Sequence, residues 1–108
     1  MSERFDYIKY STEFLDKIKK KGIPIEDAVL FGSYAKNTYN DDSDIDILLV
    51  SDSFKGVGFI DNLLIADELI EYSMINVKTY STEDYKENDP LIEEINKTGL
   101  SLINPNYS

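Results

Sequence analysis

Apolar residues recur along this chain in two rhythms, and the changes between them lay out its elements. Phe5, Ile8, Leu15 and Ile18 return at near-helical spacing and stop at Gly22, with Pro24 beyond, which predicts a first helix of about four turns. The run Ala28-Val-Leu-Phe31 then predicts a short buried strand, broken by Gly32-Ser33 where a helix can begin. After the polar loop Asn37 to Asp42, Asp44-Ile-Asp-Ile-Leu-Leu-Val50 predicts a second strand. Ile60, Leu63, Leu64, Ala66, Leu69 and Ile70 predict a second long helix after the loop Lys55-Gly-Val-Gly58. Leu91, Ile92 and Ile95 predict a third, opened near Pro90 and stopped by Gly99. Ile75 to Thr79 and Leu100 to Ile103 read as strands, and Asn104 to Ser108 as a frayed tail.

The chemistry gathers around the first two strands. Gly32 lets the backbone turn sharply and approach a ligand closely, while Ser33 brings a hydroxyl to helix N-terminal amides that favour anions, so a phosphate fits there. Side chains alternate along a strand, so Asp44 and Asp46 point one way and Ile45 and Ile47 the other. Two like charges so close repel, and a divalent cation relieves that repulsion by taking both as oxygen ligands. Mg²⁺ is the expected ion, with Mn²⁺ as its substitute, because Mg²⁺ uses one or two carboxylates together with substrate phosphates and water. A calcium loop starting at Asp42 fits poorly, with Ile47 where glycine is needed and Ser53 where the closing glutamate belongs. Taken singly, Gly32-Ser33 is an ordinary loop and Asp41 to Asp46 a solvated acidic one. Their conjunction makes a nucleotide site the better reading.

Gly32-Ser33 followed by Ser43-Asp44-Ile45-Asp46 resembles the signature of the DNA polymerase β superfamily of nucleotidyltransferases, and the short chain resembles its minimal, MNT branch. The resemblance extends through Tyr80-Ser-Thr-Glu-Asp-Tyr85, Asn88-Asp-Pro-Leu-Ile-Glu-Glu-Ile95 and Lys97-Thr-Gly99, covering about Ala28 to Leu102. It implies an α/β (α+β) fold, a small mixed sheet flanked by helices. It also implies transfer of a nucleoside monophosphate from ATP or another nucleoside triphosphate, with Mg²⁺, onto a hydroxyl. Family members paired with HEPN toxins act as antitoxins, and some adenylylate a tyrosine of the toxin. Carried over by position, Gly32, Ser33, Lys36 and Ser43 bind the nucleotide and Asp44 and Asp46 bind metal. The third carboxylate of the two-metal scheme falls at position 76, where this chain has Asn76. An amide offers a carbonyl oxygen but neither a charge nor a base at neutral pH, so the catalytic metal is in doubt while the nucleotide-bound one survives. A chain that keeps the fold and the recognition surface but has lost transfer therefore stands beside the enzyme as the second reading. Glu71, near the end of the second helix, is a candidate stand-in, and Lys78 shares a face with Asn76 or else points to solvent at a sheet edge.

Composition narrows the possibilities further. With no histidine and no cysteine among 108 residues, histidine acid–base catalysis, cysteine nucleophiles and Cys/His zinc sites are excluded. The length suits one domain, residues 1–108, without a second core. No apolar run approaches the roughly 20 residues that span a bilayer, and Met1-Ser-Glu-Arg-Phe is not a signal peptide, so a cytoplasmic protein away from membranes is expected. A net charge of −10 argues against free nucleic acid and for a basic protein partner, as the resemblance to HEPN-paired chains also implies. Lys17, Lys19, Lys20 and Lys21 crowd the end of the first helix, where they complement its dipole. Tyr34 and Tyr39 flank the phosphate turn; the packing reading is preferred for Tyr34, with base stacking as the other option.

Overall fold

The structure is a computed structural model that describes residues 6–87 and 89–103; Phe5 and the expected tail from Asn104 lie outside them. Its elements run α1 (Tyr7–Lys20), β1 (Asp27–Phe31), β2 (Ile45–Val50), α2 (Gly58–Leu64), α3 (Ala66–Glu71), β3 (Ile75–Tyr80), α4 (Thr82–Lys86), α5 (Pro90–Thr98) and β4 (Leu100–Ser101). The four strands form one mixed sheet in the order β3-β2-β1-β4, with β1 antiparallel to β2 and β4, and β2 parallel to β3. This is the expected small mixed sheet flanked by helices.

Local chemistry sets the helix ends. Asp6 opens α1 by accepting from the Lys9 backbone N–H at 3.0 Å, satisfying one amide that the first turn leaves unpaired. Asp89 does the same for α5 by accepting from the Leu91 N–H at 2.8 Å, with Pro90 at the first helical position. Strand alternation then divides the core. Ala28, Leu30, Ile45, Ile47 and Leu49 pack with Phe14, Leu15 and Ile18 of α1 on one face. Val29, Leu48 and Val50 pack with Ile95 of α5 on the other. Asp27 closes the end of that second face, taking a 2.7 Å hydrogen bond from the Tyr85 hydroxyl, which also lies 3.1 Å from the Asn96 amide.

The second long helix is where the fold departs from expectation. It is two short helices broken at Ile65, whose backbone (φ −123°, ψ 23°) is not helical. The buried residue of α2 is an aspartate. Asp61, fully enclosed, accepts from the backbone N–H groups of Lys55 (2.8 Å) and Gly56 (3.0 Å) and from the Thr79 hydroxyl of β3 (2.8 Å). These bonds hold the helix by its polar side, so Phe59, Ile60, Leu63 and Leu64 face outward instead of entering the core. Lys21 fixes the break from the other side, donating to the Leu64 carbonyl and pairing with Glu68, each at 2.8 Å. With Lys17 bound to Glu71, two of the four clustered lysines thus tie α1 to the α2–α3 segment, beyond any effect on the α1 dipole.

Two smaller differences complete the comparison. α4 forms after β3 because the Ser81 hydroxyl accepts from the Asp84 N–H at 3.1 Å. β4 ends at Ser101, shorter than the Leu100 to Ile103 run. Among the described residues no helix is long and apolar enough to cross a membrane.

Candidate active site

Gly32 leaves the end of β1 with φ 77°, in the left-handed region where a Cβ is costly. The six residues 32–37 form a single turn and not the start of a helix. Lys36 N–H bonds the Gly32 carbonyl at 3.1 Å; then Thr38 N–H reaches back to Ser33 O (2.9 Å) and Asn37 N–H to Tyr34 O (3.3 Å). That crossed pair, with Asn37 at φ 59°, is the Schellman arrangement that terminates helices. Asn37 therefore stops the helix after one turn, and the helix-terminus argument for phosphate at Ser33 falls away. What remains is the close approach itself: a Cβ on Gly32 would collide with Asp46 Oδ2 and meet Asp46 Cγ at 3.2 Å. Glycine at this position is what lets the turn rest against the carboxylate.

Asp46 sits in a row across the sheet, paired with Phe31 of β1 on one side and with Asn76 of β3 on the other. Asn76 Nδ2 donates to Asp46 Oδ1 at a long 3.4 Å. Partial burial pushes the Asp46 carboxyl above the usual range; the Asn76 bond opposes this, and the charge of Asp44 adds to the rise. Asp44, just before β2, is exposed, and Asp46 is half-buried. Such a pair, underneutralised and open to solvent on one side, suits a hard divalent cation bound by oxygen. The amide of Asn76 could turn its oxygen toward the same point. Among the described residues, no group of three or more acidic side chains is placed to hold a metal.

The other candidates sort by their contacts. Ser43 is engaged within its own loop, its hydroxyl accepting from the Asn40 N–H at 2.9 Å. Asn40, which the sequence reading passed over, organises this loop by also accepting from Asp42 N–H at 2.9 Å; the Asn40-Asp-Asp-Ser43 run is a recognisable Asx-turn pattern. Ser33 is half-buried in the turn and Lys36 is exposed on it. Tyr34 is buried, as the packing reading has it, and stacks on Tyr39 at 4.2 Å and 7°, with Tyr7 against both. Glu71 pairs with Lys17 of α1, which packs on the face of the sheet opposite Asp46, and so does not replace the missing acid. Lys78 is exposed on the edge strand, 5.9 Å above the Tyr80 ring.

Comparison with known proteins agrees with this geometry. No curated protein matches the chain significantly. Solved structures that share the fold include the following two. One is a Sulfolobus solfataricus protein assigned as a nucleotidyltransferase, with TM-score 0.63 and 20% identity over 87% of this chain and 77% of that one. The other is a chain from a toxin-antitoxin structure with AMP-PNP, with TM-score 0.59 and 23% identity over 84% of this chain and 71% of that one. The profile of the nucleotidyltransferase domain matches residues 11–102, which include the turn, both aspartates and all four strands; the chain belongs to that family.

Proposed function

We propose that this chain binds a nucleoside triphosphate, ATP in the first instance, and transfers its nucleoside monophosphate to a hydroxyl of a partner protein, as the antitoxin of a HEPN/MNT-type pair. The observation that carries this reading is the packing of the Gly32 turn against Asp46, which brings the two halves of the candidate site, turn and acid pair, into direct contact. The fold shared with a chain of a toxin-antitoxin structure supports the partner.

Asp44 and Asp46 would hold the divalent ion, which supplies charge neutralisation of the triphosphate and of the leaving pyrophosphate. The Gly32-Ser33 backbone and the Ser33 hydroxyl seat the phosphates, and Lys36 adds a positive charge from the turn. In transfer, the acceptor oxygen bonds to the α-phosphorus as the bond from that phosphorus to the bridging oxygen of pyrophosphate breaks. The acceptor proton passes to solvent, since Asn76 offers no base at neutral pH. Slow transfer follows from that substitution.

Asn76 also favours a second reading: a nucleotide-binding antitoxin that neutralises its partner by complex formation alone. Calorimetric titration of ATP, with and without Mg²⁺, into the wild type and Asp46→Asn tests the shared premise. Metal-dependent binding lost in the variant supports a nucleotide site, and a wild type that binds no ATP refutes it. Asn76→Glu then separates the readings, because restored charge raises transfer only in a chain that still catalyses it.

A further inference from the structure

α2 is an amphipathic helix mounted with its polar side inward. Its buried residues are Asp61 and, at its end, Ile65, while Phe59 is 80% exposed and Leu63 67% exposed. Phe59 and Leu63 stand four residues apart, as do Ile60 and Leu64, so the four form one continuous stripe that Val57 extends at the N-terminal end. Summed by fractional exposure, the stripe equals nearly three fully exposed large side chains, on the order of 500 Å², at the upper end of what a monomer shows. This orientation is enforced. Three hydrogen bonds to the Asp61 carboxylate reach the 55–56 loop and β3, so turning the stripe inward would strip a buried charge of all of them.

We infer that Val57, Phe59, Ile60, Leu63 and Leu64 form the surface on which this chain docks a partner protein, through an apolar groove edged by lysine and arginine. The inference deepens the proposed antitoxin reading and rests on its premise of a protein partner. Apolar pairs at i and i+4 on one helix face, here Phe59/Leu63 and Ile60/Leu64, have a spacing that a groove accepts from a docked helix. Charge selects the kind of partner. A second copy would bring −10 onto −10, and an anionic lipid surface would repel the chain in the same way, whereas a basic rim is attracted.

The test uses the double variant Phe59→Glu/Leu63→Glu and, as probe, the protein encoded by the reading frame adjoining this one. Docking through the apolar stripe predicts a loss of binding of roughly 100-fold or more, since two central anchors are removed. Attraction by charge alone predicts tighter binding, because the variant is more acidic; binding at or above the wild-type level overturns the inference. The isolated variant should melt within about 3 °C of the wild type, as exposed positions allow. A much larger fall would show that the stripe packs within the chain itself and would also overturn it. So would sedimentation of the wild type as a dimer that the variant dissolves, which would make the occupant a second copy. If the wild type does not bind the probe protein, the pairing is refuted, while the ATP titration still reports separately on the nucleotide site.

Discussion

Replacing Gly32 by alanine tests whether the turn and the acid pair act as one site. An alanine at φ 77° pays the left-handed backbone cost of about 1–2 kcal/mol. It also drives a methyl group into the Asp46 carboxylate, whose Cγ lies 3.2 Å from the new Cβ position, so the carboxylate must swing aside by about 1 Å. A displacement of that size at a reacting or binding centre costs on the order of 100-fold. Gly22 provides the control. It too is left-handed, at φ 93°, but an added Cβ there meets nothing within 4 Å. Urea melts should show a loss of about 1–2 kcal/mol in Gly22→Ala, the backbone cost alone, and a larger loss in Gly32→Ala, where displacing the Asp46 carboxylate adds to it. Calorimetric titration of ATP with Mg²⁺ should separate them, with affinity falling by about two orders of magnitude in Gly32→Ala and unchanged in Gly22→Ala. Equal nucleotide affinity in the two variants would refute the coupling of turn to carboxylate.

Two further outcomes follow from the fold. Asp61→Ala leaves two loop amides and the Thr79 hydroxyl without their acceptor, and should cost about 3 kcal/mol in a urea melt; a cost below about 1 kcal/mol would show that water replaces the clamp and that α2 is not held by it. Tyr85 is held protonated above the ordinary tyrosine value of 10.0, first by burial and then by its bond to Asp27, so the unfolded chain loses that proton before the folded one does. Its contribution to stability is complete below pH 10 and lost as pH rises through the folded value, so the melting temperature should fall above about pH 10 and fall less steeply in Tyr85→Phe; identical slopes would exclude Tyr85 as the source of the dependence.

Much of this architecture is legible in the chain because local signals and tertiary packing agree. α1 follows from its apolar spacing and ends at Lys20, two residues before Gly22, and the alternation of Asp44 to Val50 correctly turns Ile45 and Ile47 away from Asp46 into the core under α1. The placement of Asp46 was legible for the same reason: it lies on a strand whose other face is a dense apolar core. Legibility failed where a long-range polar contact outvoted periodicity. Ile60, Leu63, Leu64 and Ile70 look like a core stripe until Thr79, far along the chain, is seen to anchor Asp61 and reverse the helix. The turn after Gly32 failed differently, since helix propagation there depends on Asn37, whose left-handed conformation ends the turn at once.

The parallel register of β2 and β3 has a genetic consequence. Position 76 stands directly beside Asp46, so the identity of that single side chain decides whether the pair of acids has a charged neighbour. Asparagine and aspartate codons differ in only their first base. One transition at that codon would place a carboxylate next to Asp46 with the backbone, the turn and the α2 surface untouched, and the reverse transition would remove it. A two-acid and a three-acid arrangement at this end of the sheet are thus a single base apart.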